Sequence, residues 1–143
     1  MAIDQLIEDF ELLDDWEERY RYVIELGKQL EPLPDALRVP ATKVEGCASQ
    51  VWLVSQLRTG DDETQRLHFI GDSDAHIVRG LIAVLFAIVS DQTPQNILTA
   101  DPQSIFSRIG LKDHLTPQRS NGLAAMIARI RHDAEAALST AQQ

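Results

Sequence analysis

Apolar residues recur at helical spacing in the first part of the chain. In the first stretch they follow the i, i+3, i+4, i+7 pattern that lines one face of a helix: Ile3, Leu6, Ile7 and Phe10. Asp15 predicts the N-cap of a second helix, because Glu18 three residues later completes a capping-box-like start. The core-facing residues of this second helix are expected to be Trp16, Tyr20, Val23, Ile24 and Gly27.

The next region has a pattern that is typical of strands. Prolines at positions 32, 34 and 40 predict a stiff connector, because each proline fixes φ and removes a hydrogen-bond donor. Residues 50–57 are rich in β-branched and aromatic side chains and predict a strand. A turn at residues 59–62 and a second run at residues 65–70 complete a β-hairpin.

After Asp72 the pattern is helical. One predicted helix, residues 75–89, is apolar on nearly all sides, which indicates a central position. Three later helices each begin with a capping residue and a proline at the first helical position: Thr93-Pro94, Asp101-Pro102 and Thr116-Pro117. The last helix is amphipathic through Leu123, Met126, Ile127, Ile130 and Ala134.

Together these elements predict an α+β fold. We expect one domain over residues 1–143, in which a small antiparallel β-sheet packs against several helices. The polar tail, residues 139–143, is expected to fray.

Charge and composition exclude several classes of function. The formal net charge of −9 argues against a nucleic-acid-binding surface, which needs a basic face. No segment reaches the roughly 18 apolar residues of a membrane span. The N-terminus lacks the basic and apolar regions of a secretory signal, and one unpaired thiol suits a reducing compartment, so we expect a cytoplasmic protein.

Cys47 is the only cysteine of the chain. It cannot form an internal disulfide, and a thiolate zinc site or an iron–sulfur cluster normally needs more cysteines. It can act as a nucleophile or pass on a single atom, although a buried packing role is the simpler alternative. We expect it on a loop before the strand, where Gly46 lets the backbone bend. Glu45 opposes and Lys43 favours ionisation of the thiol, and the two effects are expected to cancel roughly.

Cys47 lies in the run VEGC (44–47), and SQVWL (49–53) follows it. These residues resemble the active-site segment of the SufE family of sulfur acceptors. The similarity continues, in the family's order, through YVIELG (22–27), GDSDA (71–75), IVRGL (77–81) and LTPQRSNGL (115–123). Residues 73–75 and 116–117 are more similar to SufE than to its paralogue CsdE.

The resemblance implies a sulfur carrier rather than an enzyme in its own right. A pyridoxal-phosphate cysteine desulfurase of the SufS type would hold a persulfide, and Cys47 would attack its outer sulfur, become persulfidated and stimulate the desulfurase. The sulfur would then pass to a SufBCD-type scaffold for iron–sulfur cluster assembly. The implied fold is the SufE/NifU-like α+β sandwich, and no cofactor of the carrier itself is implied. In the free protein we expect the Cys47 loop to pack the thiol against apolar neighbours and to open on the desulfurase.

Two further site residues have competing interpretations. Arg119 lies in the first turn of the last helix, where a cation opposes the helix dipole. A structural ion pair is one interpretation; the resemblance favours contact with the Cys47 loop, where Arg119 would stabilise an anion. Residues 72–74 are interpreted as helix caps, with the alternative that Asp74 holds the resting loop or meets the desulfurase.

The remaining candidates have little support. The four histidines share no metal-ligand spacing, so no metal site is predicted. A Cys–His hydrolase would need a histidine beside Cys47, and His68 is the nearest guess. Trp52 is interpreted as a core residue.

Two hypotheses of different classes follow. In the first, Cys47 carries sulfur covalently. In the second, the protein is a binding module that activates a desulfurase without carrying sulfur. A CsdE-like role with another sulfur acceptor, and a homodimer, also stay open.

Overall fold

The fold consists of helices around one two-stranded sheet. A computed structural model describes residues 2–47 and 49–141. The strands are β1 (Val51–Thr59) and β2 (Gln65–Ser73). The helices are α1 (Ala2–Glu11), α2 (Trp16–Lys28), α3 (His76–Val89), α4 (Pro94–Thr99), α5 (Pro102–Arg108) and α6 (Pro117–Ala141), with short 3₁₀ turns at Asp35–Leu37 and Lys112–His114. This arrangement confirms the predicted α+β fold class.

The predicted helix starts are confirmed by their capping hydrogen bonds. The carboxylate of Asp15 accepts from the amide of Glu18 at 2.8 Å, at the start of α2. The hydroxyl of Thr116 accepts from the amide of Arg119 at 3.2 Å, at the start of α6. Thr93 and Asp101 cap α4 and α5 in the same way, each followed by proline. Local sequence signals therefore determine where these helices begin.

The hairpin places the start of β1 beside the end of β2. The strands are antiparallel, with Val51 opposite Ser73 and Thr59 opposite Gln65. β2 is thus longer than the predicted 65–70 and includes Asp72 and Ser73. Residues 42–44 pair with the outer edge of β1, because Val44 donates to the carbonyl of Val51 at 2.8 Å.

Helix α3 is central, as its apolar sequence predicts. It packs against α1, α2 and β2. Its buried residues are Ile77, Val78, Gly80, Leu81, Ile82, Val84, Leu85 and Val89. The crossing with α2 is close: a Cβ on Gly27 would lie 2.7 Å from the amide nitrogen of Gly80. Glycine at this position therefore lets the two backbones approach.

Helix α6 packs on the sheet face that carries Val51, the face that α3 also approaches. It contacts β1 and α4 and buries Leu123, Met126, Ile130 and Ala134, four of the five residues predicted for its apolar face. Ile127, the fifth, is partly buried against the same core. The helix continues to Ala141, so the first part of the predicted tail is helical. Gln142 and Gln143 lie outside the described residues.

No helix in the described ranges is both long enough and apolar enough to cross a membrane.

Candidate functional site

Cys47 lies at the tip of a loop whose two ends are held by backbone pairing. At the first end, Val44 is paired with Val51 of β1. At the second end, the carboxylate of Asp74 accepts from the amide of Gln50 at 3.0 Å, and the amide of Asp74 donates to the carbonyl of Gln50 at 3.3 Å. The intervening loop, residues 45–50, presents the thiol at the mouth of β1, as the sequence predicts.

Gly46 has the backbone conformation that its position in this loop requires. Its φ is +91°, in the left-handed region that side chains disfavour. A Cβ at this position would also lie 3.3 Å from the Cβ of Ala125 on α6. The glycine therefore lets the loop turn tightly and lie close to α6.

The thiol faces a cavity of about 150 Å³ between the sheet, α3 and α6. Its apolar lining consists of Val51, Val78, Leu81 and Met126. Cys47 is half-buried and packs against the hydrophobic core, so the resting thiol lies against apolar neighbours. The polar lining comes from the Cys47 loop and the start of α6 and includes Ser49, Thr116, Gln118 and Arg119.

The surroundings of the thiol favour its neutral form. The Sγ atom of Cys47 donates to the carbonyl oxygen of Gly122 at 3.6 Å. Burial raises the pKa of the Cys47 thiol, and the nearby Glu45 carboxylate raises the pKa further. The expectation that Lys43 cancels the effect of Glu45 on the ionisation of the thiol is therefore wrong. Lys43 pairs through its backbone with Trp52 at the edge of β1, and its charge does not offset these effects.

Arg119 lines the same cavity as Cys47. Its side chain is partly buried, and it forms no ion pair with a carboxylate of the described residues. The structural ion pair that the sequence left open is therefore not observed there. A guanidinium whose charge is not neutralised, on the wall of the thiol's cavity, can meet an anion that forms on the sulfur.

The interpretation of residues 72–74 as caps of α3 is wrong. The N-cap of α3 is Ala75, which has no side chain that can accept a hydrogen bond. The carboxylate of Asp74 is used instead on Gln50, at the second end of the Cys47 loop. Ser73 is buried, and its hydroxyl accepts from the amide of Ala75 at 3.3 Å, before the helix begins.

Asp72 forms an ion-pair cluster that the sequence did not indicate. One of its oxygens accepts from Arg38 at 2.6 Å, and the other lies 2.9 Å from Nε of Arg79, although that N–H does not point at it. Burial alone would raise the pKa of Asp72, but hydrogen bonds from Arg38 and the Ser73 amide, together with both guanidinium charges, hold the pKa below its ordinary value. The cluster joins the connector to β2 and α3.

The prediction that Trp52 belongs to the core is only partly right. Trp52 is half-buried, and the guanidinium carbon of Arg38 lies 5.1 Å from the centre of its ring. This is cation–π geometry, which fixes the arginine over β1 while Asp72 pairs with it. Trp52 therefore helps to hold the connector that leads into the Cys47 loop.

The histidines lie away from this cavity. His68 is held between Asp91 at 2.8 Å and Glu31 at 2.9 Å, so both ring nitrogens have partners. His114 stacks on Trp16, with 3.9 Å between the ring centres. None of the residues that line the cavity is a histidine. The arrangement thus gives no support to a Cys–His hydrolase, and the described ranges contain no group of side chains that could hold a metal ion.

Comparisons with known proteins agree with this picture. The model of a family described as "SufE: Fe-S metabolism associated domain" matches residues 4–134. The chain is 54% identical over 137 residues to an uncharacterized SufE-like protein of Rhizobium meliloti (strain 1021), a match that covers 96% of this chain and 97% of that protein. It is also 54% identical over 134 residues to an uncharacterized SufE-like protein of Rhizobium etli, with 94% and 90% covered.

The fold has a counterpart among solved structures. The solution structure of a hypothetical protein from Thermus thermophilus superposes with a TM-score of 0.77, covers 96% of each chain and is 21% identical in sequence. At that identity the likeness concerns the fold alone.

Proposed function

Because the chain belongs to the SufE family, we propose that it is a sulfur acceptor and carrier for a pyridoxal-phosphate-dependent cysteine desulfurase of the SufS type. The observation that carries the proposal is the position of the chain's single thiol. Cys47 lies at the tip of a loop held at both ends, and it faces a cavity whose wall includes Arg119. One sulfur that faces a small, partly apolar cavity suits the acceptance of one further sulfur atom.

The transfer step exchanges one sulfur–sulfur bond for another. The Cys47 sulfur, as thiolate, attacks the outer sulfur of the desulfurase persulfide. A bond forms between Sγ of Cys47 and that outer sulfur, while the bond between the two sulfurs of the desulfurase breaks. The electron pair of the broken bond stays on the desulfurase cysteine, which takes up the proton that Cys47 lost. No net oxidation occurs, so the step needs neither an oxidant nor a reductant.

The resting site is protective rather than reactive. Its raised thiol pKa keeps the thiolate fraction low, and thiolate is the species that attacks. We expect the Cys47 loop to move out of the cavity on the desulfurase, which would remove the burial that raises the pKa. Arg119 on the cavity wall stabilises the thiolate at the start of the transfer and the persulfide anion when the loop returns to the cavity, without donating a quenching proton.

The proposed partners are the desulfurase and a SufBCD-type scaffold. The protein stimulates the desulfurase by removing its persulfide, and it delivers sulfur to a SufBCD-type scaffold in a reducing cytoplasm. It is a carrier and has no catalytic cycle of its own. Residues 73–75 and 116–117 favour SufE over a CsdE-like role.

Substitution of Cys47 separates the carrier from a non-covalent activating module. In Cys47→Ser the weaker nucleophile cannot attack a persulfide, while a loop hydroxyl leaves the core intact. We expect the variant to bind the desulfurase and to lose its stimulation of cysteine turnover. Full stimulation by the serine variant would show instead that binding alone activates the desulfurase.

A further inference from the structure

Helix α6 contacts the Cys47 loop region at two levels. In its second turn, the carbonyl oxygen of Gly122 accepts from the thiol at the loop tip. Seven residues later, Arg129 donates from its terminal nitrogen to the carbonyl oxygen of Ala41 at 3.0 Å. With a rise of about 1.5 Å per residue, these two contacts lie roughly 10 Å apart along the helix. One helix therefore contacts both the tip of the loop and the chain that leads into it.

The guanidinium of Arg129 is held in place by a second contact on its own helix. Nε lies 3.3 Å from the carboxylate of Asp133, one turn further along α6. The side chains of Arg129 and Asp133 are 26% and 13% exposed, so the pair is shielded from much of the solvent that weakens surface ion pairs. With one nitrogen on Asp133 and another on Ala41, the planar fork has little freedom to rotate.

Ala41 lies at the start of the loop base. The next residues, 42–44, form the edge segment that pairs with β1, where the carbonyl of Thr42 accepts from Leu53 at 2.9 Å. Earlier in the connector, Arg38 is fixed to Asp72 and Trp52. Two guanidinium groups therefore hold the base of the loop. That of Arg129 on α6 holds Ala41, and that of Arg38 in the connector binds the sheet.

We propose that Arg129 is a positioning residue for Cys47: by holding Ala41, it fixes the loop base and confines loop movement to the tip that carries Gly46 and Cys47. Such a fixed base keeps the resting thiol covered and returns it to the same place after each transfer. Its value for sulfur transfer rests on the proposed function, but the anchoring can be tested without a desulfurase. Loss of the anchor should let residues 39–44 separate from α6 and expose Cys47 more often.

Arg131 provides a matched control. It lies on the same helix, and it also donates to backbone carbonyls, those of Leu98 and Ala100 at 3.4 and 3.3 Å at the end of α4. Arg129→Gln and Arg131→Gln therefore remove the same charge and the same kind of contact from one helix. They differ in whether the contact holds the loop base and in the ion pair with Asp133, which Arg129 forms.

The experiment measures the rate at which iodoacetamide alkylates Cys47 in the free protein, beside the melting temperature of each variant. We expect Arg129→Gln to react about five- to tenfold faster than the wild type, the effect of losing one hydrogen bond at an exposed position, and Arg131→Gln to react at the wild-type rate. Arg129→Lys should recover part of the protection, because an ammonium can still donate to Ala41 without the planar fork.

Equal alkylation rates for Arg129→Gln and the wild type would overturn the proposal. So would equal acceleration in both glutamine variants, because the effect would then follow general stability rather than the loop base. Failure of this test leaves the sulfur-carrier proposal intact, since persulfide formation on wild-type Cys47 is measured independently.

Discussion

The thiol of Cys47 and the carbonyl oxygen of Gly122 form the contact that defines the resting site, with 3.6 Å between sulfur and oxygen. A carbonyl oxygen accepts from a neutral thiol but repels a thiolate. The contact therefore acts in the same direction as burial and the Glu45 carboxylate, which both raise the pKa of Cys47. These effects favour the neutral thiol in the resting protein, so a larger thiolate fraction requires a change in the surroundings of the thiol.

Gly46→Ala should expose the thiol. A residue with a side chain at φ +91° costs about 1–2 kcal/mol, and the new Cβ would crowd Ala125. Movement of the loop out of the cavity relieves both the backbone strain and the contact with Ala125. Alkylation of Cys47 should therefore accelerate about five- to thirtyfold. Gly110→Ala is the control, because Gly110 also has a positive φ, +79°, but lies between α5 and the 3₁₀ turn at Lys112–His114, outside the Cys47 loop. Equal rates in the two variants would mean that Gly46 does not control the loop.

Glu45→Gln should shift the pH dependence of Cys47. The Glu45 carboxylate raises the pKa of the thiol, so its removal leaves burial as the cause of the raised pKa. The rise of the alkylation rate with pH should therefore move to lower pH, and the rate at neutral pH should increase. Glu135→Gln, at an exposed position on α6, should leave the profile unchanged. A profile for Glu45→Gln that coincides with the wild type would contradict the electrostatic account.

Arg119→Ala should slow sulfur acceptance without unfolding the protein. Because Arg119 lines the cavity and no ion pair within the described ranges fixes it, its removal should cost about tenfold in the rate of persulfide transfer, the effect of one hydrogen bond to a charged group. Arg119→Lys should recover part of the rate of persulfide transfer. Arg21→Ala, a substitution at an exposed position on α2, should leave this rate unchanged. A markedly lower melting temperature for Arg119→Ala would indicate a structural role instead.

Local signals in the sequence were sufficient for most of the fold. Asp15, Thr93, Asp101 and Thr116 cap the helices that they were predicted to cap, because an N-cap bonds to an amide three residues away. The apolar faces of α3 and α6 are buried as their spacing predicts. The position of Cys47 before β1 followed from the glycine, the strand pattern and the family resemblance.

The sequence pattern does not predict contacts between residues that are far apart in the chain. Arg38 and Asp72 are 34 positions apart, and Gln50 and Asp74 are 24 apart. The register of the hairpin brings Gln50 to Asp74, and the path of the connector brings Arg38 over β1 to Asp72. Aspartate is a common N-cap residue, which is why the sequence favours a capping role for Asp74. The acidic residues near a helix start were instead used to hold the connector and the Cys47 loop.

The most direct test of the account is the mass of the protein after incubation with a SufS-type desulfurase and cysteine. Intact-mass analysis under non-reducing conditions should show a species heavier by one or more sulfur atoms, and peptide mapping should place the added sulfur on Cys47. The Cys47→Ser variant, treated in parallel, should keep its original mass. Wild-type protein that stays unmodified while a competent cognate desulfurase turns over cysteine would contradict the claim that Cys47 carries sulfur.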